Sequence, residues 1–402
     1  MPLTPKPLDG IFVLDVATMI AGPFCATILG EFGAQVLKVE MPGTGDPLRR
    51  YGTISNKGAS FSWLSDSRNK KSITLDLRKE KGKEILKKLI SKTDIMIENF
   101  RPGTLERWGL GYDEVLKQIK HDLLLIRISA YGQNGPYRDR PGFARLAHGF
   151  SGISHLTGMP DGPPLVPGAI ALADYLSGLY GAVGALMSFI ARSRYGIGQQ
   201  ADVTLYESVL RILDEMIPLY SVEGHVQERM GMEAPKIVPH NHYRAQDGKW
   251  VAIACTIDKM FERLAMVMKK PELLDQNNFA TMAQRISGRE EVNRIVGEWV
   301  ASMPRDKIIS LCLEGEVPAG PIYNVADIFE DEHYKARETL LNIEDKALGQ
   351  ITIPNVFPKL SETPGSVDTL GPQLGEHNYE IYRDMLGYSN HEIQLLMEEK
   401  VI

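Results

Sequence analysis

The sequence predicts an α/β fold: a large domain on a Rossmann-like parallel sheet, with a smaller α+β domain inserted into it. Three observations lead there. Short apolar runs alternate with helical patterns through the first 150 residues. The chain, at 402 residues, is long for one compact core and comfortable for two domains. Its texture also changes after residue 218 and again after residue 327.

Taken in order, residues 11–16 read as the first strand, 23–32 as a helix and 35–40 as the second strand. Residues 72–77 read as a strand. The segment 81–91 puts Ile85, Leu86, Leu89 and Ile90 on one helical face, and 94–98 is again a strand. Residues 105–119 are patterned as one helix and 123–129 as a further strand. Units of this length in alternation call for parallel strands covered on both faces. Residues 243–249 read as a hairpin turn into a strand at 250–255, and 317–324 as a return connection. The expected division is a large domain at 1–218, an inserted domain at 219–327, and a C-terminal segment, 328–402, that returns to the large domain.

Composition is ordinary, with 43% hydrophobic and 24% charged residues and a net charge of −6. The acidic balance argues against a nucleic-acid surface. The start, Met-Pro-Leu-Thr-Pro-Lys-Pro, lacks the apolar core of a secretory signal. Cys25, Cys255 and Cys312 are widely spaced, odd in number and set among apolar residues, which reads as core thiols in a reducing compartment. A cytoplasmic protein that neither enters a membrane nor binds nucleic acid is expected.

Asp174 is the only charged residue between Gly162 and Ala191. A carboxylate among groups that cannot solvate it is unfavourable unless something compensates. Three readings are open: a cap at the start of the helix that follows, a catalytic carboxylate, or a membrane span. The first two are compatible, because a helix N-terminus favours negative charge. The helix pattern (Leu176, Leu179, Tyr180, Val183, Leu186, Met187, Ile190) reads as a buried core helix, short for a span. Gly178, Gly181 and Gly184 recur at three-residue spacing and allow a close helix contact.

The turn after the first strand, Ala17-Thr18-Met19-Ile20-Ala21-Gly22-Pro23, lacks the Gly-x-Gly-x-x-Gly of nicotinamide-binding folds. A nucleotide-like ligand can still bind at the carboxyl ends of such strands. Arg78, Arg101 and Arg107 follow strands, where a fixed fork of donors suits phosphate, although exposed arginines near turns are common. His240-Asn241-His242 has no further ligand at metal spacing, so no metal site is expected. His148 and His155 flank the approach to Asp174, as acid–base groups or as satisfied core residues. No Gly-x-Ser-x-Gly elbow is present, and the one well-placed nucleophile candidate is a carboxylate.

An ordered series of motifs then carries a resemblance over nearly the whole chain. It comprises Leu8-Asp9-Gly10, Ala21-Gly22-Pro23, Phe32-Gly33-Ala34, Val39-Glu40 with Pro42-Gly43 and Gly45-Asp46, and Asn69-Lys70-Lys71-Ser72. It continues through Glu98-Asn99-Phe100-Arg101-Pro102-Gly103, Gly132-Gln133-Asn134-Gly135-Pro136-Tyr137, Asp174-Tyr175-x-x-Gly178, Gly196-x-Gly198-Gln199 and Leu374-Gly375-Glu376-His377. In these the chain resembles the family III CoA-transferases, the group of formyl-CoA:oxalate and carnitine CoA-transferases.

The resemblance implies that Asp174 is the nucleophile of a CoA transfer from an acyl-CoA to a carboxylic acid, through an aspartyl anhydride and an aspartyl-CoA thioester. It implies CoA contacts at Ile20 and Ala21, at Leu75 to Arg78, at Asn99, Phe100 and Arg101, at Arg107, and at Gly142, Phe143 and Ala144. Coenzyme A enters as substrate, with no tightly bound cofactor, and the partner expected is a second copy in an interlocked homodimer. Met41 and Pro141 stand where some members carry basic residues, and the Gly-rich lid of the formyl-CoA enzymes is missing at 235–243. Oxalate or formate specificity is therefore not expected. Arg145, before Asp174, reads either as part of a surface salt bridge or as a hint of a second carboxylate on the substrate, with His148 beside it. The alternatives are an α-methylacyl-CoA racemase, whose His-Asp pair is absent from 141–148, and a non-catalytic CoA-binding subunit of a heteromer.

Overall fold

The structure, a computed structural model, describes residues 5–345 and 348–402. They form two compact units. The larger comprises residues up to Ile153, Val166–Gly224 and Ala336–Ile402, and the smaller Ser154–Leu165 and His225–Lys335. The short excursion Ser154–Leu165 lies in a stretch that the sequence reading placed in the large domain.

The larger unit is built on six parallel strands: β1 (Phe12–Asp15), β2 (Gln35–Glu40), β3 (Lys70–Thr74), β4 (Ile95–Glu98), β5 (Leu124–Ser129) and β6 (Gln200–Thr204). Their order is β3-β2-β1-β4-β5-β6, all in parallel register. The order reverses direction between β1 and β4. Every residue of β4 and β5 is buried, as strands with both faces covered must be. Alternate residues point to opposite faces. Leu14, Leu37 and Ile73 join one core with Ile85, Leu86, Leu89, Ile381, Tyr382 and Ile393. Val13, Val36, Ile97 and Ile126 join the other with Cys25, Ala182 and Ala185.

Three elements differ from the sequence reading. β3 starts and ends earlier, because its ladder with β2 runs from Lys70 opposite Val36 to Thr74 opposite Glu40, where β2 stops. The expected helix at 105–119 is broken at Gly109, whose φ is 71°, into Thr104–Arg107, a wider turn at Tyr112–Leu116 and a short piece at Lys117–Ile119. β6, polar and at the sheet edge, carries no apolar run from which to read it.

Helix Leu172–Tyr195 inverts the expected burial. Its small residues face the core: Ala173, Ser177, Gly178, Gly181, Ala182, Ala185 and Ser188 are buried. Leu179, Val183, Leu186, Met187 and Ile190 are exposed. The small face packs on helix α1 (Ala21–Glu31) and β5: a Cβ on Gly178 would lie 2.7 Å from the Ala21 carbonyl oxygen, and one on Gly181 3.0 Å from Ile128 Cδ1. Among the described residues no helix is long and apolar enough to cross a membrane.

The smaller unit holds an antiparallel sheet of His240–Arg244, Trp250–Ala254 and Ala319–Pro321, in that order. The turn expected at 243–249 joins the first two strands, closed by Ala245 N–H to the Lys249 carbonyl at 2.8 Å. Helices Asp258–Val267, Arg289–Ala301 and Arg305–Glu314 supply Phe261, Leu264, Val292, Val296 and Cys312 to its core. Cys25, Cys255 and Cys312 are all free and buried.

Candidate active site

Where the strand order reverses, the ends of β1 and β4 leave a crevice of the kind in which parallel α/β sheets bind ligands. The segment from Val16 to Ile20 crosses it, and four side chains hold its backbone. Asp15 Oδ1 accepts the Ala17 N–H at 3.1 Å. Asn99 Oδ1 accepts the Thr18 N–H at 2.8 Å while its Nδ2 donates to the Thr18 carbonyl at 2.7 Å. Asp46 Oδ1 accepts the Met19 N–H at 3.0 Å, and Met19 sits in the left-handed region at φ 66°. Glycine, with no Cβ, would be relaxed there; methionine is strained and needs such surroundings to hold it. Lys38 Nζ donates to the Ala17 carbonyl from beneath.

A buried charge cluster underlies this turn. Lys38 Nζ lies 3.0 Å from Asp46 and 3.6 Å from Asp15, and Lys70 Nζ lies 3.0 Å from Asp15 and 2.6 Å from the Pro23 carbonyl. All four side chains are almost fully buried, and two cations meet two anions. Burial pulls the Lys38 ammonium down, but Asp15, Asp46 and Glu40 outweigh it and hold it above its ordinary value. Glu40 extends the cluster, taking both arms of Arg49 at 2.7 Å, the Asp46 N–H at 2.9 Å and the Ser72 hydroxyl at 2.5 Å. Sequence reasoning named Glu40, Asp46, Lys70 and Ser72 only as motif residues, passed over Asp15 and Lys38, and did not see the pairing. The available signal was a lysine set within an otherwise apolar strand, Val36-Leu37-Lys38-Val39.

The pinned turn borders two cavities. The first, about 290 Å³, is walled by Val16, Thr18, Met41, Leu75, Arg78 and Phe100. The second, about 390 Å³, is walled by Met19, Ile20, Phe143, Arg145, His148 and Asp174. Thr18 faces one and Met19 the other, so the turn itself separates them.

Asp174 lies in the first turn of its helix, but it is not the cap. Ala171 holds the cap position and has no side-chain acceptor. The Ala173 N–H instead donates to His148 Nε2 at 3.0 Å, from helix Ala144–Ser151. Tyr175 fixes the helix start laterally: its hydroxyl donates to Asp66 at 2.8 Å and its ring meets Phe24 edge-on at 4.9 Å. Among the described residues no hydrogen bond or ion pair reaches the Asp174 carboxylate. Burial alone pushes its pKa up to about 6. At neutral pH it is still mostly ionised and unpaired, which leaves it able to act as a nucleophile.

The remaining expected residues divide. Leu75, Arg78 and Phe100 line the first cavity, with Arg78 forked onto Asp76 at 2.8 Å through both Nε and Nη2. Ile20 lines the second, and Ala21 is the buried first residue of α1. Asn99 spends its side chain on Thr18. Arg101 and Arg107 are exposed and wall neither cavity; Arg107 ends a one-turn helix and donates to Thr104 Oγ1 at 2.8 Å. Gly142 packs on Ala130 and Tyr131, Phe143 starts the helix that carries Arg145 and His148, and Ala144 is buried. His155 walls neither cavity; it belongs to the smaller unit, half-exposed and 3.3 Å from Glu228. No group of three or more metal-ligating side chains occurs among the described residues.

Comparison with known proteins identifies the family and the fold. The model of CoA-transferase family III matches residues 8–378. The chain is 50% identical to the alpha subunit of succinyl-CoA–L-malate CoA-transferase from Chloroflexus aurantiacus, over 98% of this chain and 92% of that one. It is 42% identical to succinyl-CoA–D-citramalate CoA-transferase from the same organism, over 99% and 98%. A CAIB/BAIF family protein from Brucella suis has a similar structure, with a TM-score of 0.83 and 33% identity over 95% of this chain and all of that one.

Proposed function

This chain belongs to CoA-transferase family III, and from that premise we propose that it passes CoA from succinyl-CoA to a short dicarboxylic acid, with Asp174 as the nucleophile. Transfer of CoA between an acyl-CoA and a carboxylic acid is the activity of the family. The dicarboxylate class rests on Arg145 in the wall of the Asp174 cavity, and on the malate and citramalate named for the two relatives. The observation that carries the mechanism is the unpaired Asp174 carboxylate facing a cavity that adjoins the crevice.

An Asp174 oxygen attacks the thioester carbonyl carbon, the C–S bond breaks, and CoA leaves as thiolate, giving a mixed anhydride. The thiolate then attacks the aspartyl carbonyl and releases the donor carboxylate, leaving an aspartyl-CoA thioester. The acceptor carboxylate displaces the thiolate to form a second anhydride, and thiolate attack on the acceptor's acyl carbon restores Asp174. Each nucleophile and each leaving group is an anion, so no step needs a proton carrier. The covalent route divides one difficult exchange into easier ones. The apolar side chains of Met19, Ile20 and Phe143 in the wall limit water at the anhydride.

In this reading CoA lies along the first cavity, with Leu75, Arg78 and Phe100, and the exposed Arg101 and Arg107 meet its phosphates. Ile20, Ala21 and the segment from Gly142 to Ala144 guide the thioester towards Asp174. The exposed row from Leu179 to Ile190 supports an interface with a second copy, in the interlocked homodimer of the family. The relative that is an alpha subunit leaves pairing with a paralogous subunit as the other assembly. Three buried free thiols support a cytoplasmic location. Incubating the protein with succinyl-CoA and a panel of acids, then identifying new CoA esters by mass, tests the substrate class. Malate and its methylated or unsaturated kin should be converted, and a panel in which only monocarboxylates react would overturn it.

A further inference from the structure

Resting on Asp174 as the nucleophile, we propose that His148 is a specificity residue, a fixed neutral imidazole whose Nδ1–H binds an oxygen of the acyl group held against Asp174. The start of the Asp174 helix carries the argument. Its cap residue, Ala171, offers no acceptor, and the Ala173 N–H is satisfied by His148 Nε2 at 3.0 Å. A ring nitrogen that accepts carries no proton, so the neutral ring is protonated on Nδ1. That Nδ1 is buried and has no hydrogen-bond partner among the described residues.

The residue is 2% exposed, and a buried donor without a partner is costly until one reaches it. Protonating the ring would bury a cation and break the bond to Ala173. Burial, and then the positive Arg145, both hold the imidazole below its ordinary value. His148 shares the walls of one cavity with Asp174 and Arg145. Arg145 and His148 stand three apart on one helix, the spacing that brings side chains to the same face. The wall thus presents one full positive charge and one neutral donor beside the nucleophile. That pair fits an acyl group bearing a distal carboxylate and a further oxygen, the first taken by Arg145 and the second by Nδ1–H. His148 therefore does two things at once: its acceptor nitrogen sets the turn that carries Asp174, and its donor nitrogen reads the substrate.

Histidine labelled with 15N gives a direct test, with the His148 signals identified by their loss in His148→Gln. Long-range 1H–15N spectra should show the Nδ1–H tautomer in the free protein. In Asp174→Asn, succinyl-CoA should move the Nδ1 resonance and CoA alone should leave it in place. An Nε2–H tautomer, or an Nδ1 signal indifferent to succinyl-CoA, would overturn the proposal. Kinetics give a second arm. His148→Gln keeps an acceptor for the Ala173 N–H, so it should fold and bind CoA within about twofold of the parent, while kcat/KM for the acids falls about tenfold or more. Equal losses in CoA binding and acid turnover would reduce His148 to a structural part. A moved Nδ1 signal without covalent labelling of Asp174 would support this site and refute the nucleophile.

Discussion

Asn99 grips both sides of Thr18, accepting its N–H at 2.8 Å and donating to its carbonyl at 2.7 Å, and so ties the end of β4 to the turn that leaves β1. The family resemblance points to Asn99 as a CoA contact; bonded to Thr18, its side chain also shapes the wall that CoA would meet. Asn99→Ala should lose about 1–3 kcal/mol of stability, because it leaves two backbone groups of Thr18 unsatisfied. It should also raise the KM for acyl-CoA more than that for the acceptor acid. Denaturant unfolding together with initial rates for both substrates checks this.

The charge cluster beneath the turn makes a second prediction. Asp15 meets both Lys38 and Lys70 in a fully buried setting. Asp15→Leu leaves Lys38 with Asp46 and takes from Lys70 its buried ion-pair partner, and should cost about 3–5 kcal/mol. Asp15→Leu combined with Lys70→Met removes one charge of each sign and should recover a large part of that loss. Denaturant midpoints of the parent, both single variants and the double variant measure the coupling.

Close packing of the Asp174 helix is tested by two glycines on it. A Cβ on Gly178 would meet the Ala21 carbonyl oxygen at 2.7 Å, whereas one on Gly184 meets only Ala201 Cβ at 3.6 Å. Gly178→Ala should destabilise by about 1–3 kcal/mol, since backbone must move to admit it. Gly184→Ala should stabilise by up to about 1 kcal/mol through helix propensity alone. Thermal unfolding distinguishes the two, and equal effects would contradict the packing described.

Asp174 makes stability and activity depend on pH in opposite directions. Its pKa in the folded protein is about 6, raised by burial, against 3.8 for a free aspartate. The folded state therefore holds its proton more tightly than the unfolded state. Between about pH 4 and 6 the resulting stability is progressively lost as pH rises, and above that the ionised group carries a constant cost of about 1–3 kcal/mol. Asp174→Asn should accordingly be more stable than the parent at pH 7.5, with the difference vanishing towards pH 4. Turnover should follow the carboxylate the other way, falling about tenfold per unit below pH 6. Unfolding curves and rates across pH 4–8 check both limbs.

Much of this molecule is legible in its sequence. The apolar runs at 11–16, 35–40, 94–98 and 123–129 are strands of the sheet because both faces are covered, and continuous burial writes itself as continuous hydrophobicity. The isolation of Asp174 is equally plain, since one charge among thirty residues is conspicuous. What stayed hidden depends on tertiary pairing. Lys38 and Lys70 look like surface lysines until Asp15 and Asp46 are seen beside them. The buried side of the Asp174 helix is its small side, because contact with α1 at Ala21 leaves no room for leucine. His148 as the acceptor for Ala173 joins residues on two helices, which no local pattern announces.

The central claim is that Asp174 carries the acyl group and then CoA as a covalent intermediate. The most direct measurement incubates the protein with succinyl-CoA, without an acceptor acid, and maps the adduct by peptide mass after hydroxylamine or borohydride treatment. The account predicts a hydroxamate or a reduced side chain at Asp174, formed only after exposure to succinyl-CoA and absent from Asp174→Asn, which should also have lost transfer. An unmodified Asp174 peptide together with full transfer activity in Asp174→Asn would contradict it.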